Sequence, residues 1–277
     1  MLVTAAAGLS VFGSIRWAKA MQSLTADLEA RYVPPLAAAA TRDDVRELEG
    51  LPARVQRYFR AVLKDGQPII TAVTIDVPGT FNMSPTGAQR RPFTSRQRVV
   101  THRPGFLWDA KIRLLPGVTV RVADSDIAGL GLLQAAVQGL FTVADMRGGG
   151  EIARGEFMRW FAEVAWYPTA LLPSQGVCWE AVDDRSANAT VVDGPRSLTL
   201  LFRFNDTGLI GAFRAEARGG MVGNKMVMAP WEGIWSNDQT HDGVQGPFTG
   251  ELAWMRPAGR KPYFVGTVTS LAFDFST

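Results

Sequence analysis

FLWDAKIRLLPGVTVRV, residues 106–122, is the stretch from which the fold can be read. Phe106, Trp108, Ala110, Ile112 and Leu114 alternate with Leu107, Asp109, Lys111 and Arg113. Successive side chains of a strand point to opposite faces. The first set therefore predicts an apolar face, and the second a face turned mostly to water. Pro116-Gly117 reads as a turn, after which Val118, Val120 and Val122 resume the alternation. Short alternating strands joined by tight turns predict an antiparallel sheet.

The same period extends in both directions. Ile69, Thr71, Val73, Ile75 and Val77 share one face. Val177–Val182, Ala187–Val192, Leu198–Phe204 and Leu209–Ala217 read as strands linked by Asp183-Asp184, Asp193-Gly194 and Asn205-Asp206-Thr207-Gly208. Further strands are predicted near Lys225–Met228, Phe248–Met255 and Tyr263–Phe275, about ten in all as a meander. Helices are predicted over Met21–Arg31, over Asp43–Leu63 with a break near Gly50, over Ile127–Val143, and over Glu151–Trp166. The last ends before Pro168, because a residue preceding proline avoids the helical region. The predicted fold class is mainly β (α+β): a large curved antiparallel sheet, a half-barrel, with helices on its concave side plus N-terminal helices. Residues 1–45 read as a helical segment with a linker at Pro34–Thr41, and residues 46–277 as one β-rich domain.

Composition narrows the function classes. The chain has 277 residues, 47% of them hydrophobic and 20% charged, as in ordered globular proteins. A net charge of +3 without a Lys/Arg run argues against a nucleic-acid partner. Arg90–Arg103 is locally basic and reads as the solvated face of a strand, or as a site for anionic head groups. Cys178 is the only cysteine, which excludes an intramolecular disulfide; mid-strand, it reads as a buried inert thiol. His102 and His241 with that cysteine supply a zinc site poorly. No metal and no cofactor are expected.

Leu2–Ile15 is apolar or small and is followed by Arg16, Trp17 and Lys19. It is shorter than the ~20 residues that span a bilayer as a helix. Two readings stand. One is a short anchor with snorkelling Arg16 and Lys19, which puts the main domain on the cytoplasmic side. The other is a soluble N-terminal helix in a cytoplasmic protein.

Chemistry-bearing residues concentrate in GGGEIARGEFMRWFAEVAWYPTALLPSQGVCWEAVDD, residues 148–184. Gly148–Gly150 reads as a flexible connector. Phe157, Phe161 and Val164 form a buried helical stripe; Glu156, Trp160, Glu163 and Tyr167 form a second face, read as a solvated edge or as the wall of a ligand cavity. Arg159 and Glu163 read as an exposed ion pair. Glu156 and Glu163 fall ~10 Å apart along the axis, too wide for an acid/base pair acting on one bond. Trp108, Trp179, Trp231, Trp235 and Trp254 are spread over the strands. If their faces converge, Phe106, Trp108, Trp160, Phe161, Trp166, Tyr167, Trp179, Trp231, Trp235 and Trp254 line a ligand site. The plainer reading is ordinary core filling. Ser174 lies outside any G-x-S-x-G elbow, and no catalytic residue is assigned.

LPARVQRYFRAVLKDGQP (Leu51–Pro68), GTFNM (Gly79–Met83), PFTSRQRVVTHRPGFLWDAKIR (Pro92–Arg113), WYPTALLPSQGVCWEAVDD (Trp166–Asp184) and PWEG (Pro230–Gly233) resemble a bacterial family of uncharacterised proteins, a domain of unknown function. That resemblance covers nearly everything after residue 45 and transfers no activity. More loosely, the strand–helix–strand order is similar to the half-barrel lipoprotein carriers and lipid-binding proteins, which implies a sheet wrapped around helices and a lipophilic ligand.

The expectation is a non-enzymatic binding protein, membrane-associated, with an apolar aromatic-lined cavity for a lipid-like or aromatic molecule. One alternative is an accessory subunit of a membrane complex, held through residues 1–20. Another is an enzyme using Glu156, Glu163 and Glu180 on a hydrophobic substrate.

Overall fold

Ala128 and Gly129 both have positive φ, 64° and 75°, and close a two-residue turn between Ile127 and Leu130. A hairpin turn with positive φ at both central positions matches the twist of antiparallel strands. Gln138 and Gly139 repeat this conformation at the next turn. The Leu- and Ala-rich segment between them is therefore strand, where the sequence predicts a helix over Ile127–Val143. Sheet pairing on both sides overrides its helical propensity.

The structure is a computed structural model that describes residues 2–30, 45–84, 87–222 and 225–276. The predicted linker at Pro34–Thr41 lies outside them. Among the described residues there are fourteen strands rather than ten: β1 Ile70–Asn82, β2 Arg90–Val100, β3 Gly105–Leu115, β4 Val118–Ile127, β5 Leu130–Val137, β6 Phe141–Gly148, β7 Val177–Asp183, β8 Ser186–Asp193, β9 Arg196–Phe204, β10 Ile210–Val222, β11 Lys225–His241, β12 Val244–Arg256, β13 Gly259–Thr267 and β14 Ser270–Phe275. The additional strands come from Arg90–Val100, from the misread Ile127–Val143 segment and from Tyr263–Phe275, which divides into β13 and β14.

All strands belong to one antiparallel sheet of order β6-β5-β4-β3-β2-β1-β13-β12-β11-β10-β9-β8-β7. β1 is its seam. One edge of β1 pairs with β2 throughout; the other is shared, β14 taking Ile70–Asp76 and β13 taking Gly79–Phe81. Two meanders thus extend from β1 and leave β6 and β7 as the outermost strands.

Three α-helices are described: α1 Leu2–Glu29, α2 Ala53–Val62 and α3 Gly150–Ala162. α3 connects β6 to β7. It sets Phe161 edge-to-face against Phe202 of β9 and sends Arg154 to the carbonyl of Ala217 on β10, while Gly131 of β5 abuts its Ile152–Ala153 backbone. Strands distant in sheet order therefore approach one another around α3, and the sheet is curved into a half-barrel. α2 enters the same concave core through Val55, Tyr58, Phe59 and Val62.

α1 packs on the opposite face. Trp17, Met21 and Leu28 lie against Ala72, Val100, Leu107, Ala123, Leu132 and Ala136, a second cluster. Leu107 and Asp109 thus do not simply face water: Leu107 is buried under α1, and Asp109 accepts a 2.8 Å hydrogen bond from Trp17 Nε1. Cys178, expected to be buried, is exposed on β7, because the inward positions of that strand are Val177 and Trp179.

Candidate ligand-binding site in the half-barrel

The site is built on α3. Gly148 and Gly150 have positive φ, 124° and 65°, and turn the chain from β6 into the interior. From there the helix is buried on nearly every side, including Glu156, Arg159 and, just beyond its end, Glu163. The face expected to be a solvated edge is inside. A helix can be buried all round only if its charges find partners.

Arg159 supplies them. Its Nε donates to Glu163 at 2.9 Å, one terminal nitrogen to Asp124 of β4 at 2.6 Å, and the other to Gln97 of β2 at 3.2 Å. Gln97 in turn donates to the second oxygen of Glu163. The guanidinium lies over the rings of Phe106 and Trp108, at 5.1 and 4.7 Å. The ion pair predicted to be exposed is therefore buried. Burial works against the charge of Arg159, but Glu163, Asp124 and Glu156 outweigh it and hold the guanidinium above its ordinary value.

Glu156 is treated differently. Burial, and then the repulsion of Asp124, push its pKa up to about 8, against weaker attraction from Arg218 and Arg159. At neutral pH it holds its proton. Burial likewise pushes the pKa of Asp124 up, against the attraction of Arg159 and Arg218.

Arg218 reaches this cluster from β10. A bulge between Ala215 and Arg218 breaks the alternation and turns Arg218 inward. Its guanidinium lies 4.1 Å from the ring centre of Trp231 and 5.8 Å from that of Trp254. Trp231 donates to the Tyr263 hydroxyl at 3.0 Å, and Trp254 stacks on Tyr263. Gly220 is required beneath Trp254: a Cβ there would lie 2.8 Å from the indole ring. Arg218, Trp254 and Tyr263 are only half-buried, so this corner is the mouth of the interior. Buried polar atoms without a hydrogen-bond partner gather here: Asp124 Oδ1, Glu156 Oε2 and Arg218 Nε.

The ten aromatic residues picked out by the sequence share one cluster; nine are buried in it and Trp254 packs against it. They form subsets. Phe106 and Trp108 lie under Arg159. Trp160 stacks with Phe161 and contacts Tyr167, whose hydroxyl donates to the Trp160 carbonyl at 2.6 Å. Trp166 meets Trp235, with ring centres 5.0 Å apart. Trp179 packs on Phe59, Phe202 and Phe204. The indole N–H groups of Trp160, Trp166 and Trp179 donate to the carbonyls of Val100, Pro247 and Leu171. These rings are packed against one another, Trp231 among them through Phe213, which contacts both Trp231 and Trp235; of the ten, Trp254 is the one that is half-buried, at the mouth. Glu156 and Glu163 are brought to one network, while Glu180 is exposed on β7 and does not join them.

Sequence reasoning missed Gln97, Asp124, Arg218 and Tyr263 as members of the site. For two of them a signal existed. Gln97 follows Phe93 and Ser95 on the inward face, and Asp124 continues the inward series Val120, Val122. A polar residue on an apolar face is the informative exception. Arg96 and Arg98 of the basic Arg90–Arg103 stretch are engaged away from the interior: Arg96 pairs with Asp76, and Arg98 bridges Glu29 of α1 and Asp274 of β14.

Comparison with solved structures finds a LolA superfamily protein, NE2245 from Nitrosomonas europaea, at 11% identity and TM-score 0.38, covering 73% of this chain and 86% of that one. A beta-barrel-like protein of domain of unknown function DUF1849 from Brucella abortus matches at 9% identity and TM-score 0.25, covering 74% of this chain and 99% of that one. No curated protein matches the sequence. The model of a family of unknown function, DUF6920, matches residues 49–273, and the chain belongs to that family.

Proposed function

We propose that this protein is a non-enzymatic binding protein whose half-barrel takes up a lipid-like or aromatic molecule, with the polar end of that molecule held at the Arg218 mouth. One observation carries the reading. Arg218 makes no ion pair among the described residues, lies against two indoles, and has its Nε buried without a partner; Glu156 Oε2, in a carboxyl group that Arg218 attracts, is likewise unpartnered. A buried donor left unmet costs free energy that an incoming acceptor recovers. The planar guanidinium suits a carboxylate or phosphate, and the protonated Glu156 suits a hydroxyl or carbonyl oxygen. Trp254 and Tyr263, both half-buried, provide apolar surface for the adjoining part of the ligand.

Carriage of a lipid also gives the exposed apolar residues of α1 a use, because a carrier that collects cargo from a bilayer must touch one. Among the described residues no helix is long and apolar enough to cross a membrane, so contact would be at the surface.

Titration with a fluorescent fatty-acid probe tests the interior site. Saturable binding to the wild type, weakened about tenfold or more in Arg218→Ala through loss of a charge-assisted hydrogen bond, is expected. Equal binding by wild type and Arg218→Ala, or no saturable binding to either, contradicts it.

A further inference from the structure

A concavity lies on the outside of the sheet, between α1 and β2–β4. It has a volume of about 430 Å³, within the ~300–1,000 Å³ of small-molecule sites. Ser14, Thr94, Lys111, Arg113, Arg121 and Gln138 are among its lining residues, and no carboxylate is.

The sheet register creates its charge. Lys111 pairs directly with Arg121, and Arg113 with Thr119, all on the outward face. Like charges placed opposite each other on neighbouring strands repel. None of the three cations is ion-paired among the described residues. Asp109 attracts Arg121 without forming an ion pair with it, and its Oδ1 accepts from the Trp17 indole. An anion in the groove would relieve the repulsion and complete the three cations.

What surrounds the groove identifies the anion's carrier. On α1, Leu9, Val11, Phe12 and Ile15 are each more than half exposed. Leu115 precedes the β3–β4 turn, while Phe141 and Val143 open β6, and these three are also more than half exposed. The helix is fixed to this end of the sheet. Gly13 sits so close to the Gln138 carbonyl that a Cβ would approach it to 2.1 Å, and Arg16 donates to the Leu140 carbonyl at 3.3 Å. Gln138 donates to the Gly117 carbonyl and locks the two turns together. Exposed apolar side chains beside an unpaired basic groove are the two halves of an interfacial lipid-binding surface.

We propose that this end of the molecule docks on a bilayer containing anionic phospholipid, with a lipid phosphate held between Lys111, Arg113 and Arg121 while Leu9, Phe12 and Phe141 enter the interface. The outer groove is separate from the Arg218 mouth, so this docking stands or falls independently of the interior ligand.

Co-sedimentation of the full chain tests it with two vesicle types, pure phosphatidylcholine and an equal mixture of phosphatidylcholine and phosphatidylglycerol. Wild-type protein should partition onto the mixed vesicles and far less onto the pure ones, with binding weakened by salt. The triple variant Lys111→Gln, Arg113→Gln, Arg121→Gln should lose about 100-fold in partition, three surface cations acting together. A second variant, Phe12→Ser with Phe141→Ser, should bind more weakly while keeping the wild-type circular dichroism and melting temperature. Equal binding to both vesicle types, or a triple variant that binds like the wild type, overturns the proposal. So does binding of free inorganic phosphate without vesicle binding, or a stable dimer that hides Phe12 and Phe141.

Discussion

Arg159 and Glu163 form a 2.9 Å ion pair in which the two side chains are only 10% and 6% exposed, inside a helix segment that the sequence paints as half solvated. The pair sits where α3 crosses the concave face, and it ties that helix to β2 through Gln97 and to β4 through Asp124. Removing one member strands the others without water or counter-charge.

Arg159→Met should therefore destabilise the fold by about 3–5 kcal/mol, the cost of breaking a buried pair from one side. Urea denaturation measures it. The double variant Arg159→Met, Glu163→Met should recover part of the loss, since it no longer leaves Glu163 uncompensated. A single variant within about 1 kcal/mol of wild type would mean that the network contributes little to stability.

Glu156 predicts a pH dependence with a definite sign. Its folded pKa of about 8 lies above the ordinary 4.5, so the native state binds more protons than the unfolded chain between those values. Stability from this group falls as pH rises through that window and levels off above it, with a slope of up to about 1.4 kcal/mol per pH unit. Asp126, raised to about 6 chiefly by burial, adds the same sign between 3.8 and 6. Denaturation midpoints measured from about pH 6 to pH 8 should fall in the wild type and stay nearly level in Glu156→Gln. Parallel slopes in both proteins would place the titrating group elsewhere.

Gly13→Ala should lever α1 off the sheet. The added Cβ meets the Gln138 carbonyl, and backbone cannot step aside as a flexible side chain can. A loss of about 1–3 kcal/mol is expected from overpacking. Exposure of Trp17, now 4% accessible, should shift tryptophan emission to the red. Unchanged emission and stability would show that α1 tolerates displacement.

Cys178 should react with Ellman's reagent in the native state, rapidly and to one thiol per chain, because it is exposed on β7. Labelling that waits for denaturant would place its side chain inward, and would shift the register of β7 by one residue.

Much of the sheet was legible because alternation is a local property: Phe106 to Ile112 points inward in the structure as the spacing predicts. The segment after Ile127 was misread because its Leu, Ala and Gln residues favour helix, and only the turns at Ala128-Gly129 and Gln138-Gly139 reveal strands. The convergence of the aromatics was legible only as a condition, since indoles meet only if their strand faces turn to one side of the sheet. Their partition into a packed core and a mouth was not. Arg218 lies on a bulge that reverses its parity, and no spacing rule locates a bulge from one strand alone. The burial of Glu156 and Glu163 was hidden for a similar reason. A helix face looks solvated until Asp124 and Gln97, distant in sequence, prove to be beneath it.

Native mass spectrometry of the protein, purified without detergent and compared with Arg218→Ala prepared identically, tests the binding function most directly. Part of the wild-type population should carry an added mass that organic extraction recovers as an amphipathic molecule, and this fraction should fall sharply in Arg218→Ala. Wild-type protein that flies only at its bare chain mass, and that acquires no adduct when offered fatty acid or phospholipid, would contradict it.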